Sequence, residues 1–148
     1  MAVSQSFSLG GTSPAAPGTV ILTTQPNLDQ FTEFIVQARL VGATGGTLDV
    51  YLQSSPNWAA AIPTWYDVCH FPQLAAGAAA VAFATSISRG YPPTASIFAS
   101  NVADGTPSLA ANTVLASLFG GAVRAVCVAG AGTTAGAVLV LNCIASEG

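Results

Sequence analysis

The sequence contains very little charge. Only 6% of its 148 residues are charged, against about 25% in an ordinary soluble domain. Lysine is absent, and three arginines against six acids leave a net charge of −3. Such a chain cannot neutralise a run of phosphates, so we expect no nucleic-acid partner. Because charge repulsion keeps protein surfaces apart, the composition also favours packing against other proteins, with a neutral Ser/Thr/Gln/Asn surface as the alternative.

Long apolar runs are absent as well. The longest nearly apolar stretch, LAAGAAAVAFA at 74–84, is too short for a membrane helix, which needs about 20 residues. The start MAVSQSFSLGG lacks the charged and then apolar segments of a secretory signal. We therefore expect no membrane partner and synthesis in the cytoplasm. Disorder is excluded by a hydrophobic content of 51%, which allows a buried core.

Motifs for metal binding and catalysis are also missing. The chain has one histidine, His70, and three cysteines without a Cys-x-x-Cys pair, whereas a zinc site needs about four ligands. It has neither a Gly-x-Ser-x-Gly elbow nor the lysine of a P-loop. We predict no cofactor, no metal and no enzyme activity, with reduced, structural thiols. A catalytic carboxylate pair stays open, since Asp49 and Asp67 could be cross-strand neighbours.

The stretch WYDVCHF at 65–71 holds the histidine among reactive and aromatic residues, and we interpret it as a β-strand. Neighbouring residues of a strand project to opposite faces. The prediction therefore has one face with Trp65, Asp67, Cys69 and Phe71 and the other with Tyr66, Val68 and His70. On such a strand Cys69 and His70 cannot reach the same ion.

Period-two alternation is the main pattern that the sequence does have. In residues 31–41, Phe34, Val36, Ala38 and Leu40 alternate with Glu33, Ile35, Gln37 and Arg39. Further candidate strands are 19–24, 47–53, 80–88, 94–100, 122–130 and 136–146, separated by Gly/Pro turns. The pattern predicts an all-β fold, an antiparallel β-sandwich or jelly-roll-like domain with about eight strands.

Two segments depart from this pattern. Residues 1–18 have few large apolar side chains and two prolines, so we interpret them as an extended N-terminal arm. Residues 19–148 then form a single β-sandwich domain. The arm would be mobile alone and could lie across a neighbouring subunit. A short helix is an open alternative at 106–120, where Thr106 would cap it and Pro107 would begin it.

Four aromatic residues, Tyr51, Trp58, Trp65 and Tyr66, cluster around the hairpin predicted at 47–71. An exposed platform of this kind could stack sugar rings; alternatively, Trp65 is core and Trp58 covers the end of the sandwich. As candidates for a protein interface we take Trp58, Ile62, Tyr51, Tyr66, Phe7 and Leu9.

Residues 45–71, GGTLDVYLQSSPNWAAAIPTWYDVCHF, carry a family resemblance. The Gly-Thr-Leu-Asp-Val strand, Leu-Gln-x-Ser, a turn, Trp-x-Asp-Val and a closing Phe resemble a hairpin of small β-proteins from tailed-bacteriophage structural modules. The sequence departs at the turn, where PNWAAAIPT replaces the usual Asp-Gly-Gly. The resemblance covers 27 of 148 residues.

The resemblance implies a non-enzymatic virion structural protein, of the capsid decoration (cement) type, that binds the outer shell and stabilises it. Its partners would be the major capsid protein and copies of itself in a homo-oligomer. It would lie on the capsid surface of the virion, after synthesis in the host cytoplasm. The alternatives are a phage neck or tail component, or a carbohydrate-binding or receptor-binding module.

Overall fold

The computed structural model describes residues 3–88, 101–102, 109–115 and 120–147. Within these ranges the chain forms twelve β-strands and no helix. Four of the strands have only two residues, and the other eight have five to nine. The described part thus contains no helix that could span a lipid bilayer.

The strands are β1 (Ser4–Ser8), β2 (Gly11–Thr12), β3 (Gly18–Gln25), β4 (Glu33–Leu40), β5 (Thr47–Ser55), β6 (Trp65–His70), β7 (Leu74–Ala75), β8 (Val81–Ser88), β9 (Asn101–Val102), β10 (Thr113–Val114), β11 (Ala122–Ala129) and β12 (Val138–Ser146). The predicted strands at 19–24, 47–53, 80–88, 122–130 and 136–146 coincide with β3, β5, β8, β11 and β12. The predicted strand at 94–100 lies outside the described residues.

Two antiparallel sheets form the sandwich. The first has the order β1-β12-β4-β8, and β2 also pairs with β12. The second has the order β10-β6-β5-β11-β3, with β7 on β5 and β9 on β6. Numbered in chain order, the eight longer strands therefore lie as 1-8-3-6 and 2-7-4-5. The first strand pairs with the last, the second with the seventh, the third with the sixth and the fourth with the fifth, which is the order of a jelly roll.

The core lies between the two sheets and follows the predicted alternation. In β4, Phe34, Val36 and Leu40 are fully buried, while the outward residues Ile35, Gln37 and Arg39 are exposed. Leu48, Val50 and Leu52 of β5 face them from the second sheet as members of the same cluster. Burying a side chain of this size stabilises the fold by roughly 1.5–3 kcal/mol. The all-β sandwich is thus confirmed.

The described part of the N-terminal segment lies along the first sheet. β1 pairs with β12 over five residues, from Ser4 opposite Ser146 to Ser8 opposite Asn142. Phe7 stacks on Phe34 with ring centroids 5.7 Å apart, and Leu9 is fully buried. Phe7 and Leu9 are two residues apart and therefore both point to the core. Within one chain, residues 4–8 of the segment expected to be an arm form an edge strand of the first sheet.

The helix considered at 106–120 is not formed by its described residues. Within 109–115 the chain makes a turn and then β10, which pairs with β6 through Thr113 opposite His70. The candidate cap Thr106 and first residue Pro107 lie outside the described residues.

Candidate functional site

A β-bulge in β6 decides which side chains meet on the second sheet. Leu52 lies opposite Cys69, but the next residue, Gln53, lies opposite Asp67, so Val68 is the extra residue. Val68 and Cys69 consequently both enter the core. The predicted alternation, which placed Cys69 on the face of Asp67, is wrong, because a bulge reverses the phase of a strand.

The thiol of Cys69 and the imidazole of His70 do not converge. Cys69 packs in the core, whereas His70 stacks on Tyr51 with ring centroids 3.8 Å apart. Burial raises the pKa of Cys69 to about 12, and it has the same effect on Cys127 and Cys143. Since the thiolate is the reactive form, these thiols are inert at neutral pH.

A chain of hydrogen bonds crosses the outward side of the second sheet. Nε of Arg124 donates to Oε1 of Gln53 over 2.8 Å, and Nε2 of Gln53 donates to Oδ1 of Asp67 over 2.8 Å. The backbone N–H of Leu109 donates to Oδ2 of Asp67 over 2.9 Å. Gln53, Asp67 and Arg124 are at most 5% exposed. The amide of Gln53 thus gives a hydrogen bond to each of two buried charged groups, and buried charges need such partners to offset the loss of water.

We call Arg124, Gln53 and Asp67 the polar cluster, and Trp65 lies at its Arg124 end. The guanidinium carbon of Arg124 lies 4.2 Å from the centroid of the Trp65 ring, a cation–π contact. Trp58 is half-buried and packs with Trp65 and Ala122 in a small second cluster. Trp65 is therefore a core residue covered by Trp58, the second of the two interpretations of the aromatics.

His70 occupies the other end of the cluster. Its Nε2 lies 3.0 Å from Oδ1 of Asp49, and its Nδ1 lies 2.7 Å from the carbonyl oxygen of Leu109. Both partners are acceptors, so an imidazole with one N–H satisfies one of them at a time. Gln73 also donates to both oxygens of Asp49, over 3.1 and 2.9 Å. Burial, with the charges of Asp49 and Asp67, raises the pKa of Tyr51 to about 12.

The polar cluster fastens the segment 109–115 to the sheet. Asp67 holds the N–H of Leu109 and His70 contacts its carbonyl, while the N–H of Leu115 donates to the carbonyl of Val68 over 2.8 Å. Asp49 and Asp67 are not cross-strand neighbours, because Asp67 faces Gln53 and Asp49 faces Val128. In the described ranges no group of three or more His, Cys, Asp or Glu is arranged to hold a metal ion. These contacts have a structural role, because they hold residues 109–115 against the second sheet.

The six candidate interface residues are differently placed. Ile62 is 86% exposed on the loop between β5 and β6, and Trp58 and Tyr66 are half-buried. Phe7 is half-buried against Phe34, and Tyr51 and Leu9 are buried within the chain. Two aromatics of the suggested sugar platform, Tyr51 and Trp65, are therefore covered.

Sequence reasoning did not identify the outward face of the first sheet as a possible site. There Ile35 and Val140 are each 39% exposed and Ile144 is 47% exposed. The signal was available in β4 and β12, whose outward positions carry branched aliphatic residues where polar ones are usual on a solvated face. Both sides of β12 are apolar, so the sequence alone does not tell which side of that strand faces outward.

No family model matches the chain, and no curated protein matches it. Among solved structures it is similar to a chain of the "Structure of infectious bursal disease virus Gx strain", with a TM-score of 0.45 and 8% identity. The alignment covers 99% of this chain and 32% of that one, so the chain spans about a third of its length. A similarity this weak carries no argument about function.

Proposed function

We propose that the chain is a non-enzymatic structural protein of a virus particle, of the capsid decoration type. The observation that carries the proposal is a two-sheet jelly roll whose charge-poor surface exposes aliphatic side chains. Viral capsid domains are among the proteins that use this architecture, together with lectins and cupins. Since a fold hosts many functions, this support is by analogy, and the exposed surface supplies the rest of the argument.

The loop at 56–64 is the proposed contact with the major capsid protein. It joins β5 and β6, the strands of the hairpin that resembles phage structural proteins, and it carries Ile62 at 86% exposure. Asn57 organises the loop: its Oδ1 accepts from the N–H of Thr64 over 2.8 Å and from the hydroxyl of Ser55 over 3.1 Å. A loop held in this way loses little conformational entropy on binding.

Binding through this loop would stabilise the shell by mass action. A ligand that binds the assembled shell better than its separated subunits shifts the equilibrium toward the shell. Burying an isoleucine contributes roughly 1.5–3 kcal/mol, or about one to two orders of magnitude in affinity. Trp58 belongs to the same loop and holds it against the second sheet by packing on Trp65.

The test is the occupancy of particles by an Ile62→Ser variant. We expect occupancy at limiting protein concentration to fall at least about tenfold, with an unchanged melting temperature because Ile62 is exposed. Ile21→Ser is the matched control: this isoleucine is 41% exposed on β3, away from the loop. Equal occupancy for the two variants would remove the loop from the contact.

Labelling this protein on intact particles distinguishes a location on the shell from a location at the neck or tail. Label spread over the head supports a decoration protein, whereas label confined to one vertex or to the tail indicates the neck or tail component considered above. Selective binding to a glycan array, abolished by Trp58→Ala, would favour the carbohydrate-binding alternative instead.

A further inference from the structure

The outward face of the first sheet carries mainly small and aliphatic side chains arranged in cross-strand rows. β1, β12, β4 and β8 contribute to it in register. Four cross-strand rows follow one another: Ser4, Ser146 and Glu33; Ser6, Ile144, Ile35 and Ser86; Ser8, Asn142, Gln37 and Ala84; Val140, Arg39 and Ala82. We call this surface the grid face.

The middle of the grid face is apolar. Ile35 and Ile144 are direct cross-strand partners, and they are 39% and 47% exposed. Serine and alanine on the two edge strands leave room for a second sheet to approach. The amides of Gln37 and Asn142, also cross-strand partners, each carry both donors and acceptors.

The charges on the grid face have a self-complementary arrangement. Among its residues only Glu33 and Arg39 are charged, at opposite ends of β4. Six residues of a strand span about 20 Å, so the two side chains are too far apart to pair within one chain. Each nevertheless finds its opposite charge on a copy of the same surface turned by 180°.

We propose that the grid face binds a second copy of this chain, sheet against sheet, with the two β4 strands antiparallel. The two-fold axis lies in the interface, across the strand direction. It passes between the two β4 strands, midway between the positions of Ile35 and Gln37. Because such an interface is isologous, Glu33 of each copy then lies opposite Arg39 of the other, at both ends of the contact. Ile35 and Ile144 of both copies surround the axis.

Charge also selects this orientation over the parallel one. With the β4 strands parallel, Glu33 would face Glu33 and Arg39 would face Arg39, and like charges across an interface are unfavourable. Sheets packed face to face normally keep their strands within about 30° of each other, which the antiparallel arrangement allows.

The area of the grid face sets the expected strength. Four strands spaced by about 4.8 Å and a length of about 20 Å give a footprint of roughly 400 Å² per copy. Stable complexes bury about 800 Å² per partner. The dimer is therefore weak and forms at high protein concentration, such as the concentration on the surface of a particle.

The test is sedimentation equilibrium of the purified full chain and of two charge reversals, E33R and R39E. Each reversal replaces both attractive pairs with repulsive ones, and we expect dimerisation to weaken about tenfold in each. The double variant E33R/R39E should dimerise like the parent chain, because the opposite charges still meet. An equimolar mixture of E33R and R39E should form a heterodimer at least as tight as the parent homodimer.

Two controls separate this result from general effects of charge and apolar surface. T19R adds positive charge on β3 of the other sheet and should leave dimerisation unchanged, whereas Ile144→Ser should abolish it. A chain that stays monomeric at millimolar concentration would overturn the inference. So would reversals that leave the dimer intact, or a mixture that does not recover it. The experiment needs no particle, so its failure would leave the proposed contact through Ile62 standing.

Discussion

Gln53 connects two buried charged side chains on the neighbouring strands of the second sheet. Its amide accepts from Arg124 and donates to Asp67, and it is fully buried. No apolar residue of similar size can take over both contacts. The arrangement explains why the outward side of β5 is buried although its sequence alternates like that of a solvated strand.

Replacing Gln53 with leucine should destabilise the protein by roughly 3 kcal/mol, because two buried charged groups each lose a hydrogen bond. Urea denaturation at low protein concentration measures this loss. Gln37→Leu is the matched control, since Gln37 is exposed on β4 and its replacement should stay within about 0.5 kcal/mol. Equal effects of the two substitutions would contradict the structural role of Gln53.

The three buried cysteines should make stability fall in alkaline solution. Burial raises each thiol pKa from its ordinary value of 9.0 to about 12. Above pH 9 the unfolded chain loses these protons while the folded chain retains them, so the free energy of unfolding declines as pH rises toward 12. The slope is about 1.4 kcal/mol per pH unit for each thiol.

Chemical denaturation between pH 7.5 and 11 tests this alkaline loss. Cys127→Ala lowers stability at every pH by creating a cavity, but it should also reduce the slope by about a quarter to a third, because it removes one of three thiols while Tyr51, whose pKa is also raised, adds to the slope above about pH 10. A slope identical to that of the parent chain would show that the thiols do not cause the decline.

At the scale of elements, β1 and β6 each differ from the simplest interpretation of their sequences. β1 lies in a segment rich in small residues, yet its alternation places Phe7 and Leu9 against the core. β6 contains a bulge that places Asp67 and His70 where both contact Leu109. Both features depend on the partner strand, β12 in the first case and β5 in the second.

Leu9→Ala measures whether the N-terminal strand is docked in the isolated chain. A fully buried leucine should cost about 2–5 kcal/mol when truncated, whereas Val3→Ala, at an exposed position, should cost little. Thermal unfolding compares the two variants. Identical melting temperatures would mean that the segment is detached in solution and available to a neighbouring subunit.

At the scale of the whole molecule, the jelly-roll order leaves two surfaces of different character. In the second sheet, the outward side of β5 and β6 is covered by the loop with Trp58 and by residues 109–115, which Asp67 and His70 hold in place. Among the described residues, nothing covers Ile35, Val140 and Ile144 on the outward side of the first sheet, and all three are exposed. Within the described part of the chain, the first sheet therefore exposes more apolar surface than the covered strands β5 and β6, and this surface is where we place the contact with a second copy.

The sequence by itself determined seven of the eight longer strands and the inward face of β4, because period-two alternation and Gly/Pro turns are local properties of the chain. It also predicted that the thiols of Cys127 and Cys143 are buried, since these two residues lie in apolar strands, whereas the burial of Cys69 depends on the bulge in β6. Only the tertiary structure decided the jelly-roll order, the docking of β1 and the bulge in β6. It also decided the meeting of Arg124, Gln53 and Asp67, and which apolar side of β12 is open. These features depend on pairing between segments far apart in the chain, and a local pattern contains no information about the partner.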